Sequence, residues 1–308
     1  MFRLNDLFLI LVIFSSMLTG IFFPRFGTYF QPYPLYFMMF LLFLSFLSIR
    51  LNDIGKTLKG HWLMAAWLTV VKLALLPLLV YLLLKMTCPR FAVAGLLLSG
   101  VSTGVVAPFI ATVVRTNGPL VLLMVVITSL LVPFTLPILI KLVIERNLEI
   151  SVYAMMKMLS LVIFVPILAV EILRKTSPYF LEALTRHRYP ISLATFAAIN
   201  FGVFSKYGAY FRQQPDTLLN ATLVAVGLGA VYFFLGIFAL WGKETENRIA
   251  SAITVGNINN VLIIVFSSQF FGPLEATVAA MYMIPFFGLI FPMRAWGRRN
   301  SRSLSRLS

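Results

Sequence analysis

Two long apolar segments of this chain are each interrupted near the middle, and the interruptions lie about half a chain apart. The first break is GVSTGVVAP at residues 100–108, and the second is TVGNINN at residues 254–260. A non-helical backbone at membrane depth survives only where it is buried in protein or lines a wet cavity, because lipid offers no partner to a free N–H or C=O group. Paired breaks at corresponding positions of two halves therefore predict a binding site of the kind that transporters use.

The composition predicts an all-α polytopic membrane protein. Hydrophobic residues make up 60% of the chain and charged residues 11%, which is too little polar surface to cover a soluble globule of this size. The single cysteine, Cys88, excludes an internal disulfide and a multi-cysteine metal site. We expect no cofactor and no bound metal.

Hydropathy predicts ten segments of the length that a bilayer requires, roughly 20 apolar residues each. An equal division gives two sets of five, each with its broken segment in fourth place, and an odd number of spans per set predicts two inverted repeats. The predicted spans are 7–23, 33–49, 62–84, 91–114, 119–144, 152–173, 190–206, 217–241, 247–270 and 274–294.

The distribution of positive charge predicts that both termini are cytoplasmic. With that orientation, most of the 25 lysines and arginines lie on the cytoplasmic side, as the positive-inside rule requires. Short loops and an uncleaved N-terminus favour a prokaryotic inner membrane. The net charge of +15 and the basic tail at residues 297–308 are explained by this topology and by anionic lipid head groups, so nucleic acid is not an expected partner.

Polar side chains gather at the two breaks. Amide and hydroxyl groups in hydrocarbon are costly without partners, so the second break predicts a cavity or a ligand. Half-helices that start at Pro108 and Asn260 would direct their positive dipole ends at one central point, which favours an anion. Simple kinks remain the alternative. The predicted substrate-binding residues are Ser102, Thr103, Gly104, Thr254, Gly256, Asn257, Asn259 and Asn260.

Lys72 lies in the middle of the apolar segment 62–84. It is about ten residues from either end, or about 15 Å at the helical rise, which is farther than a lysine side chain reaches by snorkelling. It must therefore face protein or water. Ionisable groups so placed are functional candidates, and the alternative is a structural ammonium bound by backbone carbonyls.

Five short motifs lie along the chain: FMMFL at 37–41, RLND at 50–53, KLALLP at 72–77, RTNG at 115–118 and VGNINN at 255–260. By their order and spacing they resemble the bile acid:sodium symporter (BASS) family. The resemblance implies a ten-helix fold in which spans 1, 2, 6 and 7 form a panel domain, at residues 1–60 and 150–212. It implies that the remaining spans form a core domain, at residues 61–149 and 213–296, where the broken fourth and ninth helices cross.

The chain departs from the family where sodium-binding members resemble one another. Those members have a Ser-Asn pair at the first break, two hydroxyls on the fifth helix, a Gln on the third, and a Glu-x-Gly-x-Gln-Asn segment on the ninth. Sodium is bound by hard oxygen ligands, and most of these are replaced here. The matching positions are Ala107, Pro108, Val121, Val125, Lys72, Thr254, Ile258 and Asn259.

The resemblance and its departures together predict a secondary transporter of a small organic anion that works by alternating access without sodium. The Lys72 ammonium would replace the bound cation and repel an incoming sodium ion. Protonation and deprotonation of Lys72 could couple transport to protons, whereas a permanently charged Lys72 would give a facilitator or exchanger. A sodium-coupled symporter with altered ligands and a non-transporting membrane sensor are the alternatives.

The other ionisable residues do not suggest an enzyme. His61 and His187 lie at span edges without an acidic neighbour at catalytic or ligand spacing. Glu171 is expected to pair with Arg174 or Lys175 across one helical turn. The expected partners are a small organic anion, membrane lipids and, in the coupled case, protons.

Overall fold

The fold is described from a computed structural model, which covers residues 4–47, 49, 51–144 and 151–296. The predicted basic tail at residues 297–308 lies outside the described residues. Within the described part of the chain the regular structure is helical, and the only strand-like feature is an isolated bridge. The prediction of an all-α protein is therefore confirmed.

The helices follow the apolar segments and end at Gly, Pro and polar residues, as expected from the costs of those residues inside helices. In chain order they are α1 (Leu4–Phe22), α2 (Pro24–Gly27), α3 (Pro34–Phe46), α4 (Leu51–Val70), α5 (Leu76–Thr87), α6 (Ala92–Gly100), α7 (Ala107–Val114), α8 (Gly118–Val143), α9 (Val152–Thr176), α10 (Pro178–Arg186), α11 (Arg188–Ser205), α12 (Gly208–Gln213), α13 (Asp216–Ala239), α14 (Thr245–Gly256), α15 (Asn260–Phe270), α16 (Pro273–Met281) and α17 (Met283–Gly288).

Several of these helices are long and apolar enough to cross a bilayer, which makes the chain a polytopic membrane protein. Within the described residues there are 5 such helices, or up to 6 if residues 11–30, bent by 107° between α1 and α2, are one span. Shorter apolar helices, such as α3 and α15, lie among them. The arrangement of ten spans in two inverted repeats stays a prediction. The five long helices are Gly60–Thr87, Gly118–Val143, Val152–Thr176, Asp216–Ala239 and Pro273–Trp296.

Both predicted interruptions are confirmed. Helix α6 ends at Gly100 and α7 begins at Ala107, so the first apolar segment is divided at the GVSTGVVAP stretch. Helix α14 ends at Gly256 and α15 begins at Asn260, so the second is divided at the TVGNINN stretch. Each half is too short to cross a bilayer alone.

Two groups of helices pack among themselves. The first group contains α1, α3, α9 and α11, where α11 contacts both α1 and α3, and α3 contacts α9. Arg174 on α9 pairs with Glu171 at 2.6 Å, as predicted, and also donates to the carbonyls of Phe46, Leu47 and Ile49 at the end of α3. These bonds satisfy carbonyls that have no partner within their own helix.

The second group contains the two broken helices. Helix α6 contacts α5 and α16, α14 contacts α13 and α8, and α15 contacts α16. Helices α8 and α9 also contact each other across the two groups, and the division into a panel and a core stays a prediction. Between them, α15 of the second group contacts α3 and α11 of the first, so the second break lies close to the boundary between the groups.

Candidate functional site

The two breaks meet inside the protein and pair their backbones. Thr103 and Ile258 form an isolated antiparallel bridge. The N–H of Gly104 donates to the Asn257 carbonyl at 2.6 Å, and the N–H of Asn259 donates to the Ser102 carbonyl at 3.0 Å. The unwound backbones therefore supply partners to each other, which is how such segments are tolerated away from water. We call this contact the crossover.

Gly104 allows the two backbones to approach this closely. A Cβ atom at this position would lie 2.6 Å from the Ile258 carbonyl oxygen and 3.1 Å from that of Asn257. Any other residue would push the second break away, because a carbonyl oxygen held in a backbone bridge cannot move aside as a flexible side chain can. The glycine at this position is thus required by the crossover.

Thr103 forms hydrogen bonds to α14 through its side chain and to α8 through its backbone. Its hydroxyl donates to the Thr254 carbonyl at 3.0 Å, and its N–H donates to Oγ1 of Thr128 on α8 at 3.0 Å. Thr128 in turn donates to the Met124 carbonyl at 2.7 Å. Helix α8 therefore supports the first break, and Thr128 was not among the residues predicted from the sequence.

Lys72 lies in a π-helical turn, Val71–Leu75, that joins α4 to α5. Pro77 lacks the N–H that would pair with the carbonyl four residues earlier, and the N–H of Leu76 instead reaches the Val71 carbonyl. Single π turns inside α-helices are frequent at functional sites. This turn directs the Lys72 side chain into the protein, where it is fully buried.

The Lys72 ammonium joins the two broken helices. Its Nζ donates to the Ser99 carbonyl at 2.9 Å and lies 3.5 Å from the Val255 carbonyl. These carbonyls belong to the last turns of α6 and α14, the two helix ends that reach the crossover. Helix C-termini carry partial negative charge, so two of them together favour a cation at this point, and the Tyr232 ring lies 6.0 Å from the same nitrogen.

The residues around Lys72 do not fit a bound sodium ion. Val121 and Val125, which match the hydroxyl positions of sodium-binding relatives, are fully buried and have no side-chain oxygen. Ser99 and Val255 present carbonyl oxygens, but these already accept from the ammonium. Among the described residues no group of three or more His, Cys, Asp or Glu could hold a metal.

The crossover retains polar atoms that have no protein partner. Buried polar atoms without partners are unfavourable, so these atoms can still bind water or a ligand. The amide nitrogens of Asn257 and Asn260 do have contacts, with the Phe286 carbonyl and the Met283 sulfur, and Asn259 caps α15. The atoms without partners are Ser102 Oγ, Thr254 Oγ1, Asn257 Oδ1 and Asn260 Oδ1.

A cavity of about 790 Å³ lies beside the crossover, between α3 and α11 on one side and α7, α15 and α17 on the other. Of the predicted substrate-binding residues, Gly104, Asn259 and Asn260 line it. The other five and Lys72 do not, and they lie buried in the crossover behind it. Its apolar wall includes Met38, Leu41, Leu42, Phe109, Phe286, Phe287, Ile290 and Phe291.

Three arginines line the cavity, and none of its described lining residues is a carboxylate. They are Arg115 at the end of α7, Arg188 at the start of α11, and Arg294 in the last apolar span. None of the three was among the predicted binding residues: Arg115 was part of the RTNG motif, and Arg188 and Arg294 counted only toward the predicted orientation. Their position directly after or before an apolar helix was the available signal, but hydropathy does not say that three different helix ends surround one cavity.

Two interrupted helices that meet beside a cavity are an arrangement found in membrane transporters. The family comparison agrees, because the model of the Sodium Bile acid symporter family matches residues 34–214, and the chain belongs to this family. The matched region includes Lys72 and the first break. Members of the family are membrane transporters and not enzymes. None of the curated proteins compared with the chain matches it.

Proposed function

We propose that this protein transports a small organic anion by alternating access without sodium, and that the Lys72 ammonium takes the place of a bound cation. The observation that carries the proposal is the contact of one buried ammonium with the last turns of both broken helices. A cation at this point offsets the negative ends of two helix dipoles. A tethered amine does so permanently, and its charge disfavours entry of a second cation.

The lining of the cavity supports an anionic, partly apolar substrate. Arg115, Arg188 and Arg294 bring positive charge to the cavity wall, and a positive field raises the local concentration of anions. The Phe-, Leu- and Ile-rich wall suits the organic part of the ligand, while Asn259 and Asn260 offer polar groups at the inner end. Bile acids, sulfated steroids and small carboxylates all have this character.

The proposed cycle moves the panel, residues 1–60 and 150–212, against the core, residues 61–149 and 213–296. With the N-terminus cytoplasmic, the three arginines lie at the cytoplasmic end, so the described conformation is the inward-open one. In this orientation both termini lie in the cytoplasm. The membrane would be the inner membrane of a prokaryotic cell. The substrate would bind at the cavity wall beside the crossover and leave when the opposite side opens.

Coupling depends on whether Lys72 exchanges its proton during the cycle. In the described conformation the Ser99 and Val255 carbonyls accept hydrogen bonds from the Lys72 ammonium. If exposure of the crossover differs between the two conformations, loss of the proton in one of them couples anion movement to a proton gradient. If the ammonium persists in both, the protein is a facilitator or exchanger.

Uptake by proteoliposomes tests the proposal. The probes are radiolabelled taurocholate, a steroid sulfate and a small 2-oxo acid, each with sodium or with choline, over a pH series. We expect uptake of at least one probe that is the same in choline as in sodium. We expect Lys72→Ala and Lys72→Gln to abolish it, because both leave two helix ends without a cation, while Lys85→Gln on α5, which is exposed, retains it.

Two results would reject the proposal. Sodium-dependent uptake that survives both Lys72 substitutions indicates the sodium-coupled alternative with altered ligands. Saturable binding of a probe without uptake or counterflow indicates a non-transporting sensor on the same scaffold. Uptake by the native protein that an imposed pH gradient drives indicates proton coupling, and uptake that does not respond to the gradient indicates a facilitator or exchanger.

A further inference from the structure

The end of the protein away from the cavity mouth is closed by a small set of polar contacts. Helices α6 and α7 run from Arg90, just before α6, to Arg115 at the cavity mouth, so these two arginines lie at opposite ends of the broken helix. Likewise α11 runs from Arg188 at the mouth to Ser205, which precedes α12. We call the end that contains Arg90 and α12 the far end.

Arg90 binds the connection between the two helix groups at the far end. Its Nη2 donates to the hydroxyl of Tyr210 at 3.2 Å, to Oε1 of Gln214 at 2.6 Å and to the hydroxyl of Thr217 at 3.3 Å. Tyr210 lies on α12, Gln214 follows it, and Thr217 lies in the first turn of α13. These four residues are the Arg90 latch. By the proposed bounds, the Tyr210 contact joins the core to the panel, and the Gln214 and Thr217 contacts lie just inside the core, where the chain enters it.

A second contact crosses the boundary at the same end. The hydroxyl of Tyr207, between α11 and α12, lies 3.5 Å from the Ser268 carbonyl near the end of α15. Because α15 begins at the crossover and Ser268 lies in its last turn, this contact lies on the far side of the crossover from the cavity. The far end is therefore bridged at two places, while the other end holds an open cavity of about 790 Å³.

We propose that the Arg90 latch is the gate of the far side: it holds that side closed while the cavity is open, and it releases when the protein converts to the opposite conformation. Arg90 is then a positioning residue, which acts on the relative placement of the two helix groups and not on the substrate. The inference rests on the alternating-access part of the proposed function. It does not depend on the identity of the anion or on the role of Lys72.

The chemistry of the latch suits a contact that must break and re-form in every cycle. Arg90 is exposed to solvent, so water replaces its lost partners when the gate opens. Its three acceptors are neutral, so no ion is left unpaired in a buried place. Hinges are commonly a few residues at the ends of helices, and Gln214 lies in the short connection between α12 and α13. A strong buried ion pair here would lock one conformation.

Cysteine labelling of substrate-free protein in lipid nanodiscs tests the latch. Cys88 is exposed and free, so the background is Cys88→Ser. One reporter, Ser192→Cys, lines the cavity; the other, Ser268→Cys, lies at the far end. A polar maleimide then measures how often each end is open. Arg90→Ala should raise the labelling rate at position 268 about threefold to tenfold and should not raise it at position 192.

Two further variants sharpen the test. Arg212→Ala, which removes an exposed arginine of α12 that makes none of the latch contacts, should leave both rates unchanged. Tyr210→Phe, which removes the latch acceptor that lies in the panel, should raise the labelling rate at position 268. An unchanged rate at position 268 in Arg90→Ala overturns the proposal. Faster labelling of both reporters also overturns it, because that is general loosening and not a change of conformation.

The labelling result is separate from the result of the transport assay. If probes are not taken up but the two reporters respond as expected, the two-state gate stands and transport of these anions is rejected. If uptake is found and the reporters do not respond to Arg90→Ala, transport stands and the latch is rejected.

Discussion

Lys72 is held by carbonyl oxygens and not by a carboxylate, which determines what its removal does. In Lys72→Met the volume is nearly kept, but the Ser99 and Val255 carbonyls lose their donor in a place that water does not reach. We expect the free energy of unfolding to fall by about 1–3 kcal/mol, measured as a lower melting temperature of the purified protein in detergent.

The matched control for this substitution lies on the next helix. Lys85 on α5 is exposed and its ammonium lies 5.7 Å from the Tyr81 ring, so Lys85→Met should change the melting temperature little. If Lys72→Met is as stable as Lys85→Met, the carbonyls have found other partners, and the ammonium does not hold the two broken helices together.

At the scale of helices, the crossover is the contact that sets how the two broken helices lie against each other. Gly104→Ala would place a Cβ 2.6 Å from the Ile258 carbonyl oxygen. Since both backbones are held by the bridge, we expect the second break to be displaced and transport to be lost. The free energy of unfolding should fall by on the order of 2 kcal/mol, measured as a melting temperature lower by several degrees.

Gly227→Ala on α13 is the control, because a Cβ there meets nothing within 4 Å. Alanine is the better helix former by about 0.8–1 kcal/mol, so this variant should be at least as stable as the native protein and should keep its transport. Equal behaviour of the two alanine variants in uptake and melting would show that the close approach of the breaks is dispensable.

At the scale of the whole molecule, the charge of the cavity should control how tightly anions bind. Arg115→Gln with Arg294→Gln removes two of the three positive groups that line it. We expect the apparent KM for taurocholate to rise about twofold to fivefold for each arginine, since exposed charge interactions are modest, and the rise should shrink at high salt. Uptake against substrate concentration, at low and high salt, measures it.

Arg25→Gln gives the comparison, because Arg25 lies in the short α2 helix, is exposed and does not line the cavity. Its removal should leave the KM unchanged at both salt concentrations. A similar rise in the KM with Arg25→Gln would mean that net charge and not the cavity lining attracts the anion.

Several features of the fold and site could be predicted from the sequence because their signals are local. Hydropathy predicted the class of helical membrane proteins. The breaks that contain Gly, Pro and Asn predicted the ends of α6, α7, α14 and α15 within a few residues. The depth of Lys72 in an apolar segment predicted that it faces protein, where it is buried. The pairing of Glu171 with Arg174 follows from helical spacing alone.

Other features were not predicted because they join residues from distant parts of the chain. Thr128 supports the first break through the N–H of Thr103, although nothing in the α8 sequence distinguishes its hydroxyl from the others. The cavity takes arginines from three helix ends. Five of the predicted binding residues lie behind the cavity and not at its wall, because the sequence does not say which side of a break faces the open space.

The sequence by itself determined that this is a helical membrane protein with two interrupted helices and a charge at mid-depth, since hydropathy, helix breakers and charge position are properties of neighbouring residues. Only the tertiary structure decided that the interruptions pair with each other, that one ammonium contacts both, and which charges surround the cavity. Those contacts link residues such as Lys72 and Val255, which are 183 positions apart, and the packing of all the helices between them sets their distance.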